Sequence, residues 1–304
     1  MYEKHFGLRR RPFRSTPDGD SYYPATGHEL ALDRLLQGIE QDEGHLLLTG
    51  DPGSGKTLLC HRLLERLGAD TASAFLTNSH LTDRRSLLQS ILFELTLPYE
   101  AATEQEMRLT LTEFLLQNFQ AEKRTIILVD EAQHLGVDIL EELRLLGNLE
   151  ARHGKAVQIV LVAQPALMQT LQKSALTSLR QRLAVRTLLE PLGTEEAADY
   201  ILHQLRMAGG RPEKIIGDEA LAIIARTTLG VPRLLNQAAH QALLLAQEMG
   251  ATQVDAEAAL EALTVLGMLP ESVPIESAEL LERRGLEDED EIERRLKSPR
   301  RPAG

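Results

Sequence analysis

The stretch GDPGSGKT at residues 50–57 has the composition and spacing of a loop that binds phosphate. Its glycines allow backbone N–H groups to turn toward an anion, and a helix that begins at its end adds a positive N-terminus. Lys56 would then reach the β- and γ-phosphates of a nucleotide, and the Thr57 hydroxyl would hold Mg²⁺. The sequence therefore predicts that ATP is bound by Gly50, Asp51, Pro52, Gly53, Ser54, Gly55, Lys56 and Thr57.

Two acids, Asp130 and Glu131, follow the apolar run TIILV. Such a run is typical of a central strand in a covered parallel sheet, and these strands end at the edge where the phosphate loop opens. Asp130 is predicted to hold the metal's water shell, and Glu131 to orient and deprotonate an attacking water. An acid at this place can instead cap a helix. The apolar strand and the upstream loop favour the catalytic interpretation.

Two amides follow other candidate strands. Gln164 comes after VQIVLVA and is predicted to contact the γ-phosphate or the water at the same edge. Asn78 comes after TASAFLT and could hold the Glu131 carboxylate. The alternative for each is an ordinary loop amide.

Arginines at two places can reach phosphate. Arg180 and Arg182, in SLRQRLAVR, precede a predicted fifth strand. An arginine that reaches the γ-phosphate of a neighbouring subunit stabilises transition-state charge and is worth roughly 10³-fold or more in rate. Arg182 is favoured over Arg180, and the alternative is a solvated surface pair. Arg233, in GVPRLLNQ, could fold over the phosphates from a first helical turn or remain on the helix surface.

The composition limits the class of protein. Of the 304 residues, 43% are hydrophobic, only 4% are aromatic and none is Trp, so the core must be aliphatic. The formal charge of −12 gives no overall attraction to nucleic acid or to an anionic membrane. A single Cys excludes an intramolecular disulfide and fits a reducing compartment. With no signal peptide and no long apolar run visible, we expect a soluble, cytoplasmic protein.

The pattern divides the chain into four parts. Residues 1–26 form an arm that is predicted to be extended, with turns. Residues 27–192 alternate apolar strands with amphipathic helices, as in a parallel α/β sheet. Residues 193–266 hold four helical segments without a strand and are predicted to form a separate α-domain. Residues 267–304 are charged and poor in large apolar side chains, so they are predicted to be disordered.

The chain resembles the AAA+ ATPases of the general secretion pathway protein A family, also called ExeA-like, in six motifs that occur in order along the sequence. They are HFGLRRRPF…PDGDSYYPATGHELAL, GDPGSGKT, VDEAQHL, LVAQPAL, LRQRL and GVPRLLNQAAHQALLLA. The resemblance covers about residues 1–266. It implies a P-loop AAA+ module with a five-stranded parallel sheet and a C-terminal helical lid, assembled into rings or filaments with ATP sites between subunits.

The same resemblance implies a role for each candidate residue. These roles are Walker A for Lys56 and Thr57, Walker B for Asp130 and Glu131, sensor 1 for Gln164, the arginine finger for Arg182, sensor 2 for Arg233, and a place near the adenine for the arm around Phe6–Pro24.

The chain departs from the family pattern at two places. Sensor 1 is more often Asn or Thr in AAA+ proteins, whereas this chain has Gln164. Secretion members often continue into a transmembrane helix and a peptidoglycan-binding domain, whereas residues 267–304 are a short charged tail. We therefore expect a partner protein to recruit the chain to the inner membrane.

Three functions fit these motifs. The first is an ATPase that drives assembly or remodelling of a secretion, pilus or exopolysaccharide export apparatus. The second is a DNA-associated AAA+ regulator of the transposition type, which the net charge disfavours because the only basic run in the ATPase region is RRRPFR at 9–14. The third is a scaffold that binds ATP without turnover, which Glu131 disfavours.

Overall fold

The computed structural model describes residues 2–14, 21–68, 70–77, 81–151 and 154–269. Its main sheet has five parallel strands, and two short strands pair antiparallel beside it. The main strands are β1 (His45–Gly50), β2 (Ala72–Leu76), β3 (Thr125–Val129), β6 (Gln158–Ala163) and β7 (Leu183–Leu189), and the short pair is β4 (Glu150–Ala151) and β5 (Gly154–Lys155). In space the main strands follow the order β2-β3-β6-β1-β7.

Helices cover both faces of the sheet and form the C-terminal third. They are α1 (Tyr2–His5), α2 (Thr26–Glu40), α3 (Lys56–Leu67), α4 (Arg84–Glu94), α5 (Glu104–Gln120), α6 (Val137–Leu146), α7 (Leu167–Thr170), α8 (Thr177–Arg182), α9 (Thr194–Met207), α10 (Pro212–Ile215), α11 (Asp218–Thr227), α12 (Pro232–Glu248) and α13 (Ala256–Val265). Within the described residues, no helix has the length and apolar character needed to cross a membrane.

The central strands are buried on both faces. Every residue of β1, β3 and β6 is buried, and successive side chains point to opposite faces. Leu47 and Leu161 join the core that packs under α4, α5 and α6. Leu46 and Val160 join the core under α2 and α3. The sequence prediction of a parallel α/β sheet of five strands is confirmed.

Local signals placed several elements correctly. The run EQEMRLTLTEFLLQNFQ predicts a helix over 104–120 and TIILV predicts a strand over 125–129, and these match α5 and β3. α4 begins after Asp83, whose side chain accepts the backbone N–H of Ser86 at 2.8 Å, as expected of an N-cap. The run DILEELRLLGNLE predicts a helix over 138–150, but α6 ends at Leu146, because Gly147 follows and the chain then enters β4.

The N-terminal arm differs from its prediction. We expected no regular element, but Tyr2–His5 form the short helix α1. Tyr2, Leu8 and Phe13 are buried in one apolar core with α9–α13, and the Tyr2 hydroxyl lies 2.9 Å from Nδ1 of His240. The arm and the C-terminal helices therefore share a core. The predicted tail, apart from 267–269, lies outside the described residues.

Candidate functional site

The phosphate loop joins β1 to α3 at the carboxyl edge of the sheet. Gly53 and Gly55 have φ values of 84° and 96°, a left-handed conformation that favours glycine. A Cβ atom on Gly55 would lie 2.9 Å from Nε2 of His28, and the same Nε2 lies 2.9 Å from the Ser54 carbonyl oxygen. The loop is thus closely packed around its backbone, with α3 beginning at its end.

Lys56 lies inside this loop. Its Nζ donates hydrogen bonds to the carbonyl oxygens of Gly50 at 2.8 Å and Asp51 at 2.9 Å. Burial lowers the pKa of the Lys56 ammonium, and the carboxylates of Glu131, Asp130 and Asp51 oppose that shift. A buried cation whose bonds go to backbone carbonyls is suited to exchange them for phosphate oxygens.

Thr57 and Asp130 form the candidate metal site. The Thr57 hydroxyl donates to Oδ2 of Asp130 at 2.6 Å, and the backbone N–H of Glu131 donates to Oδ1 at 2.8 Å. Asp130 is buried, with 3% of its surface exposed. A hydroxyl and a carboxylate are the hard oxygen ligands that Mg²⁺ takes, together with water and substrate phosphates. Among the described residues no group of three or more His, Cys, Asp or Glu is placed to hold a metal.

Glu131 lies where β3 ends, in a left-handed backbone conformation with φ 53°. Its Oε2 accepts a hydrogen bond from Nε2 of Gln133 and another, at 3.3 Å, from Nε2 of Gln164. The two predicted residues Glu131 and Gln164 are therefore in contact at the end of neighbouring strands. Gln133 was not predicted, because its position depends on a turn that no spacing pattern reveals.

Arg233 reaches the phosphate loop from α12. Its backbone N–H donates to the Gly53 carbonyl oxygen at 3.2 Å. A Cβ atom added to Gly53 would lie 2.7 Å from the Cβ of Arg233, so the two backbones approach closely. The Arg233 side chain is exposed and lines the cavity beside the loop. Arg233 therefore lies against the phosphate loop, and its contact with bound phosphates stays a prediction.

A cavity of about 600 Å³ opens between the loop, the arm and the C-terminal helices, within the size range of small-molecule sites. Tyr22 and Tyr23, from the arm, line it together with Tyr200 of α9. The Tyr22 hydroxyl donates to Oε1 of Glu29 at 2.7 Å, and the guanidinium of Arg62 lies 4.8 Å from the Tyr22 ring centre. The Tyr23 and Tyr200 rings meet edge to face at 5.8 Å.

His28 is a second residue that the sequence did not single out. It is 6% exposed, and burial lowers the pKa of its ring. Its Nδ1 is buried without a hydrogen-bond partner among the described residues. Its contact with the loop links α2 to Ser54 across 26 residues of sequence.

Arg182 is not brought to the site. It ends α8 and precedes Leu183, which pairs with His45 at the start of β1. It therefore lies at the amino edge of the sheet, opposite Lys56. Since a strand rises about 3.3 Å per residue, the six residues of β1 separate the two edges by about 17 Å. Asn78 lies outside the described residues.

Comparison with known proteins identifies an AAA domain in the part of the chain that contains the phosphate loop. A family model described as an AAA domain matches residues 39–171. General secretion pathway protein A of Aeromonas hydrophila is 38% identical over 255 residues, which are 84% of this chain and 46% of that protein. This chain therefore contains an AAA domain and is similar to general secretion pathway protein A over most of its length. It spans about half the length of that relative.

Solved structures share the AAA+ fold. The ORC2 protein of Aeropyrum pernix has a TM-score of 0.64 at 17% identity, covering 90% of this chain and 75% of that one. Drosophila ORC bound to DNA has a TM-score of 0.64 at 17% identity, covering 85% and 64%. The RuvB Holliday junction branch migration motor of Thermotoga maritima has a TM-score of 0.53 at 18% identity, covering 84% and 76%. At these identities the likeness concerns the fold.

Proposed function

We propose that this AAA+ protein binds and hydrolyses ATP to drive assembly or remodelling of a secretion, pilus or exopolysaccharide export apparatus. The observation that carries the hydrolytic part is the cluster at the carboxyl edge of the sheet, where Thr57, Asp130 and Glu131 lie beside the phosphate loop. A site for binding alone needs the loop and the metal ligands. It has no use for a carboxylate that can take a proton from water.

Each residue of the cluster has a distinct role in this proposal. Lys56 and the loop amides hold phosphate oxygens, and Thr57 and Asp130 hold Mg²⁺, which neutralises charge on the phosphates when bound. Glu131 accepts the proton of the attacking water. Gln164 contacts Glu131 and orients the water beside it. Arg233 adds positive charge over the phosphates from α12.

The arm and the C-terminal helices complete the nucleotide site. We take 27–192 as the ATPase core and 193–266 as a lid, with the arm between them. The two tyrosines support this arrangement, because Tyr22 is hydrogen-bonded to Glu29 of the core while Tyr23 meets Tyr200 of the lid edge to face. The adenine would lie in the cavity that these residues line.

The active form would be a homo-oligomer, with Arg182 of each subunit acting on the nucleotide of its neighbour. The position of Arg182 at the amino edge of the sheet supports a role between subunits, since it cannot reach its own site. The name of the Aeromonas hydrophila relative supports a role at the cell envelope. A partner protein would then recruit the chain from the cytoplasm to the inner membrane.

The runner-up is a DNA-associated regulator. It is favoured by the fold likeness to Drosophila ORC bound to DNA and to the RuvB branch migration motor. The charge of −12 counts against it, because DNA binding draws on phosphate contacts by Lys and Arg. Duplex DNA that raised the ATPase rate sharply at low salt would favour the regulator over the envelope protein.

Glu131→Gln tests the hydrolytic role. We expect kcat for ATP to fall at least about 100-fold, because the general base is removed, while the Kd for a fluorescent ATP analogue with Mg²⁺ changes less than threefold. Phosphate release and fluorescence titration measure the two quantities. The exposed Glu113 of α5 provides the matched control, and Glu113→Gln should keep full activity. A Glu131→Gln protein that hydrolyses ATP at the normal rate contradicts the proposal.

A further inference from the structure

Gln133 lies two residues after Glu131, in the 3-10 turn Ala132–His134. The turn is anchored in the core, since Ala132 is fully buried and Leu135, which follows it, is 4% exposed. Gln133 itself is half-buried. Its side chain therefore extends from a fixed backbone position toward the ends of β3 and β6.

The orientation of the Gln133 amide is set by its partners. The backbone N–H of Gln164 donates to Oε1 of Gln133 at 2.9 Å. Because a backbone N–H can only donate, this contact identifies the atom as the amide oxygen and turns the amide nitrogen the other way. That nitrogen donates to Oε2 of Glu131. A single side chain thus joins the backbone after β6 to the carboxylate after β3.

The two oxygens of the Glu131 carboxylate have different numbers of hydrogen-bond partners among the described residues. Oε2 accepts hydrogen bonds from the amide nitrogens of Gln133 and Gln164. Oε1 receives no hydrogen bond from the part of the chain that the structure describes. Glu131 also lines the cavity beside Lys56 and Thr57. One oxygen is fixed by amide donors, and the other is left to accept a proton.

We infer that Gln133 is a positioning residue for hydrolysis, which sets the direction of the Glu131 carboxylate and couples it to Gln164. This inference rests on the proposed ATP hydrolysis. Gln133 would not contact the nucleotide and is absent from the lining of the cavity. Its removal should therefore lower the rate of the chemical step without changing ATP binding, since small errors in the placement of a catalytic group can cost about 100-fold.

Two substitutions separate positioning from a structural role. Gln133→Met removes both hydrogen bonds at similar volume. Gln133→Glu keeps an oxygen that accepts the Gln164 N–H but replaces the donor to Glu131 with a second carboxylate. For both we expect kcat to fall about 10- to 100-fold, with KM for ATP and the Kd of the fluorescent analogue within threefold of the wild-type values. Gln172, which is exposed, provides the control substitution Gln172→Glu.

A role limited to holding the turn gives a different result. Gln133→Glu would then keep its rate, since the bond to Gln164 remains, and the inference would be wrong. The inference would also be wrong if KM rose while kcat stayed constant. Wild-type protein that binds ATP but does not hydrolyse it contradicts the proposed function together with this inference, whereas active wild type with active Gln133 variants contradicts the inference alone.

A double-mutant cycle adds a second readout. Because Gln133 acts through Glu131, adding Gln133→Met to Glu131→Gln should lower the residual rate by no more than about twofold. A further loss of tenfold would show that Gln133 acts on the reaction independently of Glu131 and would contradict the inference.

Discussion

His45 opens β1 at the edge of the sheet that lies opposite the phosphate loop. It is 2% exposed, and a Cβ atom on Gly147 would lie 2.5 Å from its ring. Burial lowers the pKa of His45 to about 4; the Leu143 carbonyl opposes this shift, and the charges of Arg182 and Lys155 add to it. The folded protein therefore keeps this ring neutral at a pH where the unfolded chain protonates it.

This difference predicts a loss of stability in mild acid. The unfolded chain binds more protons between the ordinary pKa of 6.5 and the folded value of about 4, so the contribution is complete above pH 6.5 and decreases as the pH falls toward 4. His45→Asn should reduce the loss of unfolding free energy between pH 7 and pH 5 by about 2 kcal/mol. Urea unfolding of both proteins at the two pH values measures it. Parallel losses in wild type and variant contradict this assignment.

Candidate residues could be chosen from the sequence where a contiguous motif contains them. The loop at 50–57 and the pair Asp130 and Glu131 have fixed spacings, and the fold brings them to the same edge of the sheet. Their chemical roles stay predictions. Gln133 and His28 could not be found in this way. Each acquires its partners only when the chain folds, Gln133 from Gln164 across 31 residues and His28 from Ser54 across 26.

At the level of elements, the buried carboxylate of Glu142 on α6 has arginine partners on α4 and α5. Glu142 of α6 is 0% exposed. Nη2 of Arg108, on α5, donates a hydrogen bond to its Oε2 at 2.8 Å. Nη1 of the same arginine forms an ion pair with Oε1 at 2.7 Å, without the geometry of a hydrogen bond. Nε of Arg84, on α4, is 4.0 Å away. The charge of Glu142 is compensated mainly from α5.

Arg108→Met leaves that carboxylate buried without its main partner. We expect the free energy of unfolding to fall by about 3 kcal/mol, as for other buried ion pairs that lose one member. Glu104 offers a matched control, since it pairs with the same arginine at 3.8 Å but is 46% exposed; Glu104→Gln should cost less than about 1 kcal/mol. Chemical denaturation measures both. Equal effects of the two substitutions contradict a special role for Glu142.

Length decided which elements could be predicted. The 17 residues of α5 contain enough turns for the apolar period to show, and Thr103 caps them by accepting the N–H of Glu106. The four residues of α1 and the two each of β4 and β5 are too short for any period. α1 is held by distant residues, since Tyr2 contacts His240, whereas β4 and β5 pair with each other.

For the whole molecule, the separation of Arg182 from Lys56 predicts complementation between inactive subunits. Arg182→Ala should lose about 10³-fold in kcat because no finger reaches the neighbouring site, and Lys56→Ala should lose nucleotide binding. Mixing the two should restore activity, because a Lys56→Ala subunit still offers Arg182 to an intact site. Phosphate release by the mixture, compared with each protein alone, measures this.

The same experiment distinguishes the two arginines. Arg180→Ala serves as the control, and it should remain active if Arg182 is the finger. A mixture no more active than its components contradicts catalysis between subunits.

The packing of the arm could not be predicted from composition, because the contact of Tyr2 with His240 spans 238 residues.

That long contact has a consequence for biosynthesis. Tyr2, Leu8 and Phe13 leave the ribosome before the helices that bury them, α9 to α13, have been translated. Domains generally fold from the N-terminus as the chain emerges, yet this segment cannot be buried until α9 to α13 have also emerged. Nascent chains that stall before residue 194 would thus expose the apolar side chains of Tyr2, Leu8 and Phe13, to which chaperones could bind.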